Sequence, residues 1–387
     1  SWYWAHPPVY MPLNCNLPEV EHIKQFVDIP VICAGRMQAE TAAQAIAEGK
    51  LDAVAIGRQF ICDGEYLTKL KEGREEDIRP CISCHNGCLP IAYYKNSGAA
   101  ADLSSPNSQG HCALNPVSFE EKKYEIKEAA VKKKIAVIGG GIGGMEVARL
   151  CSMMGHTVDL YEKTDRLGGV FIAAAAPDFK EKDKELIEWY KTQIKKLPIT
   201  LHMNTEITSL SEIRADEIVV ATGAAPRKLP VPGFEKGIEA IDYLLGKKEV
   251  GTKVAVIGGG LTGCEIAYDL AKKGKEPFVV EMTEDLIKAL GICAANSSCL
   301  RDLLRYYKVP VYLESTLKEI QDHNVVILTP DGEKVIDCDS VVLSVGYVPG
   351  TSLVKESSEH VHILGDAAKV GNLKNVIWGA YDLAFSL

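Results

Sequence analysis

A chain of 387 residues with a formal net charge of −9 has room for roughly two to three domains, and its composition is that of an ordinary globular protein. The negative balance, with no Lys/Arg cluster interleaved with aromatics, argues against a nucleic-acid or anionic-membrane surface. Apolar runs such as residues 341–345 are far too short to span a bilayer, and no signal peptide opens the chain. The first residues, Ser1-Trp2-Tyr3-Trp4, read as a cut edge. Twelve cysteines would suggest disulfides in a secreted protein. The nucleotide-binding pattern below instead implies a reducing, cytoplasmic interior, where clustered cysteines more often bind metal.

Residues 1–80 read as the end of an α/β barrel. A helix is expected over 19–27, then a strand over 30–34 ending in Gly35-Arg36. A second helix over 39–48 leads to a strand over 53–56 ending in Gly57-Arg58. Two βα units with Gly-Arg at both strand ends fit the phosphate site that barrels build after their seventh and eighth strands. Glycine admits the phosphate, amide N–H groups point at it, and arginine adds charge-assisted bonds. The plainer reading makes Arg36 and Arg58 solvated loop residues. Cys33 and Cys62 read as packing residues. A whole barrel needs roughly 250 residues, so two units cannot close and would leave an apolar face and strand edges open.

Next comes Cys81-Ile82-Ser83-Cys84-His85-Asn86-Gly87-Cys88, with Cys112 further on. Four thiolates fill the coordination demand of an iron–sulfur cluster or of a structural zinc, and the spacing alone leaves the two nearly level. Residues 89–111 form a polar, small-residue loop, and the charged, helix-prone stretch 120–134 reads as a linker.

A buried strand over 134–138 is followed by Gly139-Gly140-Gly141-Ile142-Gly143-Gly144, a helix over 145–154 and a strand over 158–161 ending at Glu162. This is G-x-G-x-x-G in its dinucleotide-binding context. Gly139 makes the turn, Gly141 lets the pyrophosphate approach, Gly144 admits helix–strand packing, and Glu162 can accept a ribose 2′-OH. Gly169, in Leu167-Gly168-Gly169, belongs to a pattern associated with FAD rather than NAD. A second copy follows: a strand over 254–257, Gly258, Gly260 and Gly263, a helix through 270, and a strand over 277–280 ending at Glu281. A carboxylate at Glu281 accepts the 2′-OH of NADH and repels the 2′-phosphate of NADPH. Cys264, Cys293 and Cys299 read as structural. Residues 218–223 and 341–346 are strands ending at glycine, and they mark the crossings between an outer nucleotide domain and an inserted one. Near the end, Gly365 and Asp366 follow a strand. From there the carboxylate can reach the ribityl chain of a flavin, an ordinary helix N-cap being the plainer role.

In combination and order, His6-Pro7-Pro8, Ile32-Cys33-Ala34-Gly35-Arg36, Ala55-Ile56-Gly57-Arg58, Asp77-Ile78-Arg79-Pro80-Cys81-Ile82-Ser83-Cys84, Cys112-Ala113-Leu114-Asn115-Pro116 and the two dinucleotide units resemble one family. It is that of the iron–sulfur flavoenzymes of the 2,4-dienoyl-CoA reductase and 2-enoate reductase type, within the old yellow enzyme group. The resemblance covers essentially the whole chain. Within the family it is nearest to clostridial enoate reductases and to bile-acid-processing NADH:flavin oxidoreductases of gut anaerobes.

The resemblance implies an α/β chain made of a C-terminal TIM-barrel remnant and an FAD-binding Rossmann-like domain carrying an inserted NAD-binding one. The divisions are 1–80 for the FMN barrel part and 81–130 for the cluster segment and linker. Residues 131–228 with 340–387 form the FAD domain, and 229–339 the NADH domain. FMN phosphate falls to Gly35, Arg36, Gly57 and Arg58, and FAD to Gly139, Gly141, Gly144, Glu162, Gly169, Gly365 and Asp366. NADH falls to Gly258, Gly260, Gly263 and Glu281, and a [4Fe–4S] cluster to Cys81, Cys84, Cys88 and Cys112. The implied activity is that of an ene-reductase, with electrons passing from NADH through FAD and the cluster to FMN and on to an activated alkene. That alkene is an enoate, an enoyl-CoA or a 3-oxo-Δ4 steroid.

Two departures stand out. The interval from Cys88 to Cys112 is longer than the family's, and the region where relatives keep the proton donor precedes these residues, so no catalytic acid is named. The expected activity of this stretch alone is NADH-to-dye diaphorase. The alternatives are an FAD/iron–sulfur electron-transfer module serving another subunit, the amine dehydrogenase branch of the same architecture, and a zinc-pinned remnant. A homo-oligomer is compatible with all of them.

Overall fold

A computed structural model describes residues 2–89, 110–288, 292–350, 353–354 and 358–387. Its frame is a pair of five-stranded parallel sheets. The first runs in the order Val361–Ile363, Glu217–Val220, Lys134–Ile138, Thr157–Tyr161, Ile199–His202, and the second in the order Val311–Tyr312, Glu276–Val280, Lys253–Ile257, Ser340–Leu343, Ile238–Glu239. The central strands read Lys-Ile-Ala-Val-Ile and Lys-Val-Ala-Val-Ile. They are apolar almost throughout because a parallel strand is covered on both faces. The strands and helices expected around both glycine turns are present. Helices Ile142–Met153 and Leu261–Lys272 each start directly after the second glycine of the motif.

An antiparallel ribbon, Ala224–Pro226 with Tyr347–Pro349, carries the chain between the two sheets. It lies immediately past Gly223 and Gly346, the two glycines expected at the crossings. An antiparallel sheet not expected from the sequence, Thr316–Ile320, Asn324–Thr329, Gly332–Asp337, closes over the second core.

The first 80 residues form a single parallel pair, Ile32–Cys33 with Ala53–Val54, backed by helices Leu17–Lys24 and Ala39–Ala47 around Cys33, Met37, Ala42, Ala45 and Leu51. Both strands are shorter than the sequence suggests. Among the described residues no further strand lies beside the pair, and Phe26, Ile29 and Ile32 stand 61–74% exposed along its flank. The stretch 120–134, read as a linker, is non-helical despite its helix-prone composition, residues 111–133 forming turns and bends. Tertiary packing overrides the propensity here. Tyr124 is buried edge-on against Tyr381 and Phe385, and its hydroxyl donates to Asp382 at 2.7 Å. Most of the loop expected over 89–111 lies outside the described residues.

Two buried ionic groups tie these parts together. Glu146, on the helix after the first glycine turn, accepts from Arg149 at 2.8 and 3.0 Å and lies 3.7 Å from Arg79. Arg79 also donates to the Leu114 carbonyl and lies over the Trp189 ring, while Arg149 donates to the Tyr381 hydroxyl. In the second group, Lys180 meets Glu265 at 2.8 Å and Tyr10 donates to the same carboxylate at 2.8 Å. The first 80 residues and both nucleotide units therefore share one buried charge cluster. Burial pushes the Asp183 carboxyl beside it up to about 7, with Lys180 working against the rise and Glu265 and Glu181 adding to it.

Removing one partner of a buried ion pair leaves an uncompensated charge, so Glu146→Ala should lower stability by about 3–5 kcal/mol in urea unfolding. An unchanged unfolding midpoint would refute the clamp. The folded chain keeps the Asp183 proton at pH values where an unfolded Asp, near about 3.9, has released it. Between about pH 4 and pH 7 this group therefore makes stability fall as pH rises. Asp183→Asn should flatten that slope, which unfolding midpoints taken across the window would measure against the parent protein.

Candidate functional site

The two glycine turns match atom for atom. In the first, the Gly140 N–H donates to Glu162 at 2.8 Å, and the backbone N–H and hydroxyl of Thr164 donate to the other carboxylate oxygen at 2.8 Å. In the second, Gly259 donates to Glu281 at 2.6 Å and Thr283 donates twice at 2.8 Å. A carboxylate has about four acceptor positions, so each acid is fixed in place with roughly one left for a ligand.

A Cβ on Gly144 would sit 1.8 Å from the Gly139 carbonyl oxygen, and one on Gly263 would sit 1.9 Å from that of Gly258. No other residue type fits where helix and strand approach this closely. Gly141 and Gly260, at the two helix N-termini, instead face space with nothing within 4 Å of such an atom. That opening, lined by backbone N–H groups at the positive end of a helix, suits a pyrophosphate. Thr164 with Leu167, and Thr283 with Leu286, extend the repeat beyond the glycines and acids. The sequence signal was an E-x-T-x-x-L shared by both copies.

Gly169 packs its Cα side against Gly141, and Gly141 bridges to Gly168. Gly365 and Asp366 lie in a short 3-10 turn after Val361–Ile363. Asp366 accepts the Gly371 N–H at 2.9 Å, and the following helix Leu373–Ala384 is capped by Asn372, so Asp366 is not its N-cap. Val376 on that helix contacts both Gly143 and Gly365. The first turn and the C-terminal segment are therefore packed against each other.

Cys81, Cys84 and Cys112 pack against the core of the first nucleotide unit. The long interval before Cys112 does not keep it away. A Cβ on Gly87 would lie 2.6 Å from the His111 carbonyl oxygen, and the His111 N–H donates to the Gly87 carbonyl at 2.9 Å. Only glycine lets the two segments zip together there. Left-handed Ser83 and His85 shape the turn, and backbone N–H groups of Ser83, Asn86 and Leu114 point at the sulfurs of Cys81, Cys84 and Cys112. Burial pushes the Cys81 and Cys84 thiols up and that of Cys88 to about 12, with the neighbouring cysteines adding to the rise at all three. Cys112 is lowered by a hydrogen bond from Cys62, helped by the Leu114 and Asn115 amides and by Arg79. Cys62 is a buried core residue, as expected of a packing role, and its thiol donates to the Pro80 carbonyl at 3.5 Å.

Among the described residues no three or more His, Cys, Asp or Glu side chains are placed to hold a single metal ion. The sulfurs sense one another's charge without converging on a point. Donor type, amide hydrogen bonds and burial fit a thiolate-held multi-iron centre. His85 ties the loop to its surroundings. Its Nε2 accepts from Arg58 at 2.5 Å, and its Nδ1–H donates to Asn296 of helix Ala294–Tyr306 at 2.7 Å. Burial and Arg58 push its pKa down to about 3, leaving the ring neutral.

Gly35 and Gly57 follow adjacent parallel strands, as expected of a shared phosphate site. Arg36, however, is turned inward: its guanidinium donates to the Val9 and Met11 carbonyls and pairs with Glu181. Arg58 donates to the Pro7 carbonyl at 2.7 Å as well as to His85. The spacing points to neither Gly87 nor Trp378, whose indole N–H donates to the Cys112 carbonyl at 3.0 Å.

Comparison with known proteins bears on this arrangement. The description "NADH:flavin oxidoreductase / NADH oxidase family" matches residues 3–77. "NAD(P)-binding Rossmann-like domain" matches 137–182, and "Pyridine nucleotide-disulphide oxidoreductase" matches 208–366. A cinnamate reductase from Clostridium sporogenes is 38% identical over 99% of this chain and 57% of its own length. An NADH oxidase from Thermoanaerobacter brockii is 33% identical over 95% of this chain and 57% of its own. A solved 2-naphthoyl-CoA reductase superposes with a TM-score of 0.86 at 31% identity, over 98% of this chain and 57% of that one. The chain thus spans a little over half the length of each of these three proteins. The family descriptions fall in order over residues 3–77, 137–182 and 208–366, the relatives align over almost the whole chain, and together these findings fit the 2-enoate reductase family of flavin/iron–sulfur oxidoreductases.

Proposed function

We propose that this chain is the NADH-oxidising and electron-distributing part of a reductase for activated carbon–carbon double bonds. The observation that carries the reading is the packing of Cys81, Cys84 and Cys112 into the same core as the first glycine turn. Gly139, Gly141, Gly144, Glu162, Gly169, Gly365 and Asp366 would hold FAD. Gly258, Gly260, Gly263 and Glu281 would hold NADH, and Cys81, Cys84, Cys88 and Cys112 a [4Fe–4S] cluster. When bound, these groups supply hydride exchange and single-electron transfer, which protein side chains cannot provide.

The chain's own residues orient and insulate. Glu281, held by Gly259 and Thr283, presents a fixed negative charge to the adenine ribose. Arg79 offsets thiolate charge at Cys112 from within the core. Gly35, Gly57 and Arg58 would meet an FMN phosphate, with Arg36 bracing the loop through Glu181 rather than touching it. Relatives named for cinnamate and 2-naphthoyl-CoA reduction support an α,β-unsaturated acid or thioester as substrate class. Twelve free cysteines accord with a reducing, cytoplasmic setting. The inward turn of Arg36 favours a second reading, an FAD/iron–sulfur module that passes electrons to another subunit. FMN among the cofactors extracted from the protein would exclude it.

Anaerobically purified protein should carry about four irons and four sulfides per chain, and Cys112→Ala should lose most of them. One tightly bound zinc and no visible absorption would overturn the reading. NADH should bleach the flavin in preference to NADPH. Glu281→Ala should shrink that preference by roughly tenfold, since it removes a charge facing the 2′-phosphate. Equal discrimination in parent and variant would remove Glu281 from the nucleotide site.

A further inference from the structure

Helix Leu373–Ala384 touches two parts of the site with different residues. Val376 packs against Gly143 in the first glycine turn and against Gly365. Two positions on, Trp378 donates its indole N–H to the Cys112 carbonyl at 3.0 Å and stands edge-on to His111 with ring centroids 5.1 Å apart. Positions i and i+2 of a helix point roughly 200° apart, so the helix lies between the glycine turn and the cysteine segment. It is held firmly in place. Asn372 and Asn375 form a reciprocal cap, and Tyr381 is fully buried between Arg149 and Tyr124. Cys112 needs such an anchor most, because Cys81, Cys84 and Cys88 share one short loop while Cys112 arrives from a separate segment.

We propose that Trp378 is a positioning residue that fixes the fourth cysteine to the helix walling the first glycine turn, so that the iron–sulfur centre and the flavin keep one separation. This rests on the cluster reading above. The chemical requirement is a planar side chain with an N–H reaching the Cys112 peptide, which Phe cannot supply and His can.

The test uses the anaerobically purified, fully loaded protein and its Trp378→Phe and Trp378→His variants. For Trp378→Phe, flavin content and the rate of flavin bleaching by NADH should stay within about twofold of the parent. Iron release to a chelator should speed up roughly fivefold, the effect of losing one ordinary hydrogen bond. The electron paramagnetic resonance spectrum of the dithionite-reduced cluster should change as well, because hydrogen bonding and placement around a ligand sulfur set cluster properties. Trp378→His should retain parent-like iron release. A Trp378→Phe protein with parent-like release and an unchanged spectrum overturns the proposal, as does a His variant that behaves like Phe. Loss of flavin together with iron in both variants also overturns it, in favour of general packing. Absence of iron from the parent protein would sink the cluster reading and this proposal with it.

Discussion

The Glu146 carboxylate, fully buried between Arg79 and Arg149, is the constraint on which the rest of the molecule depends. Three charges without solvent are tolerable only when each is paired and hydrogen-bonded, and here Arg149 comes from the same helix as Glu146 while Arg79 comes from the cysteine segment. Glu146 sits on the helix that starts at the first glycine turn. Arg79 stands two residues before Cys81 and also holds the carbonyl of Leu114, two residues after Cys112. Arg149 reaches the C-terminal helix through Tyr381. A single network therefore pins both cysteine segments and the C-terminal helix to the helix that packs on the nucleotide-binding sheet.

Electrostatics at the cysteines point the same way. Burial lifts the thiols of Cys81, Cys84 and Cys88, so without a cation they stay protonated. Metal binding must then release protons, which couples loading of the site to pH and to local folding. Backbone N–H groups at Ser83, Asn86 and Leu114 and the charge of Arg79 stabilise thiolates once iron is present. The arrangement is poor for free reactive thiols and good for ligands.

Much of the site was legible in the sequence because the chemistry demands particular residue types at fixed spacing. Gly139, Gly144, Gly258 and Gly263 are required by close backbone approach, and an acid about 20 residues on is required by a ribose. The Leu, Thr and Glu positions shared by both copies carry the same information. Arg36 shows the limit of such reasoning. A Gly-Arg at a strand end says that a guanidinium is close by, but its direction depends on Glu181, 145 residues away. The linker 120–134 stays non-helical for a similar reason, since the burial of Tyr124 outweighs its local propensity.

By itself, then, the sequence determined the two sheets, both glycine turns with their acids, and the close spacing of Cys81, Cys84 and Cys88, since each is specified by local spacing and backbone sterics. Only the tertiary structure decided that Cys112 joins the cysteine loop across a long interval, with Gly87 at the junction and Trp378 bonded to the Cys112 carbonyl. It also decided that Arg36 turns away from the strand ends. Those outcomes are contacts between residues far apart in the chain. Their energies come from desolvating and pairing groups that meet only once the core has closed.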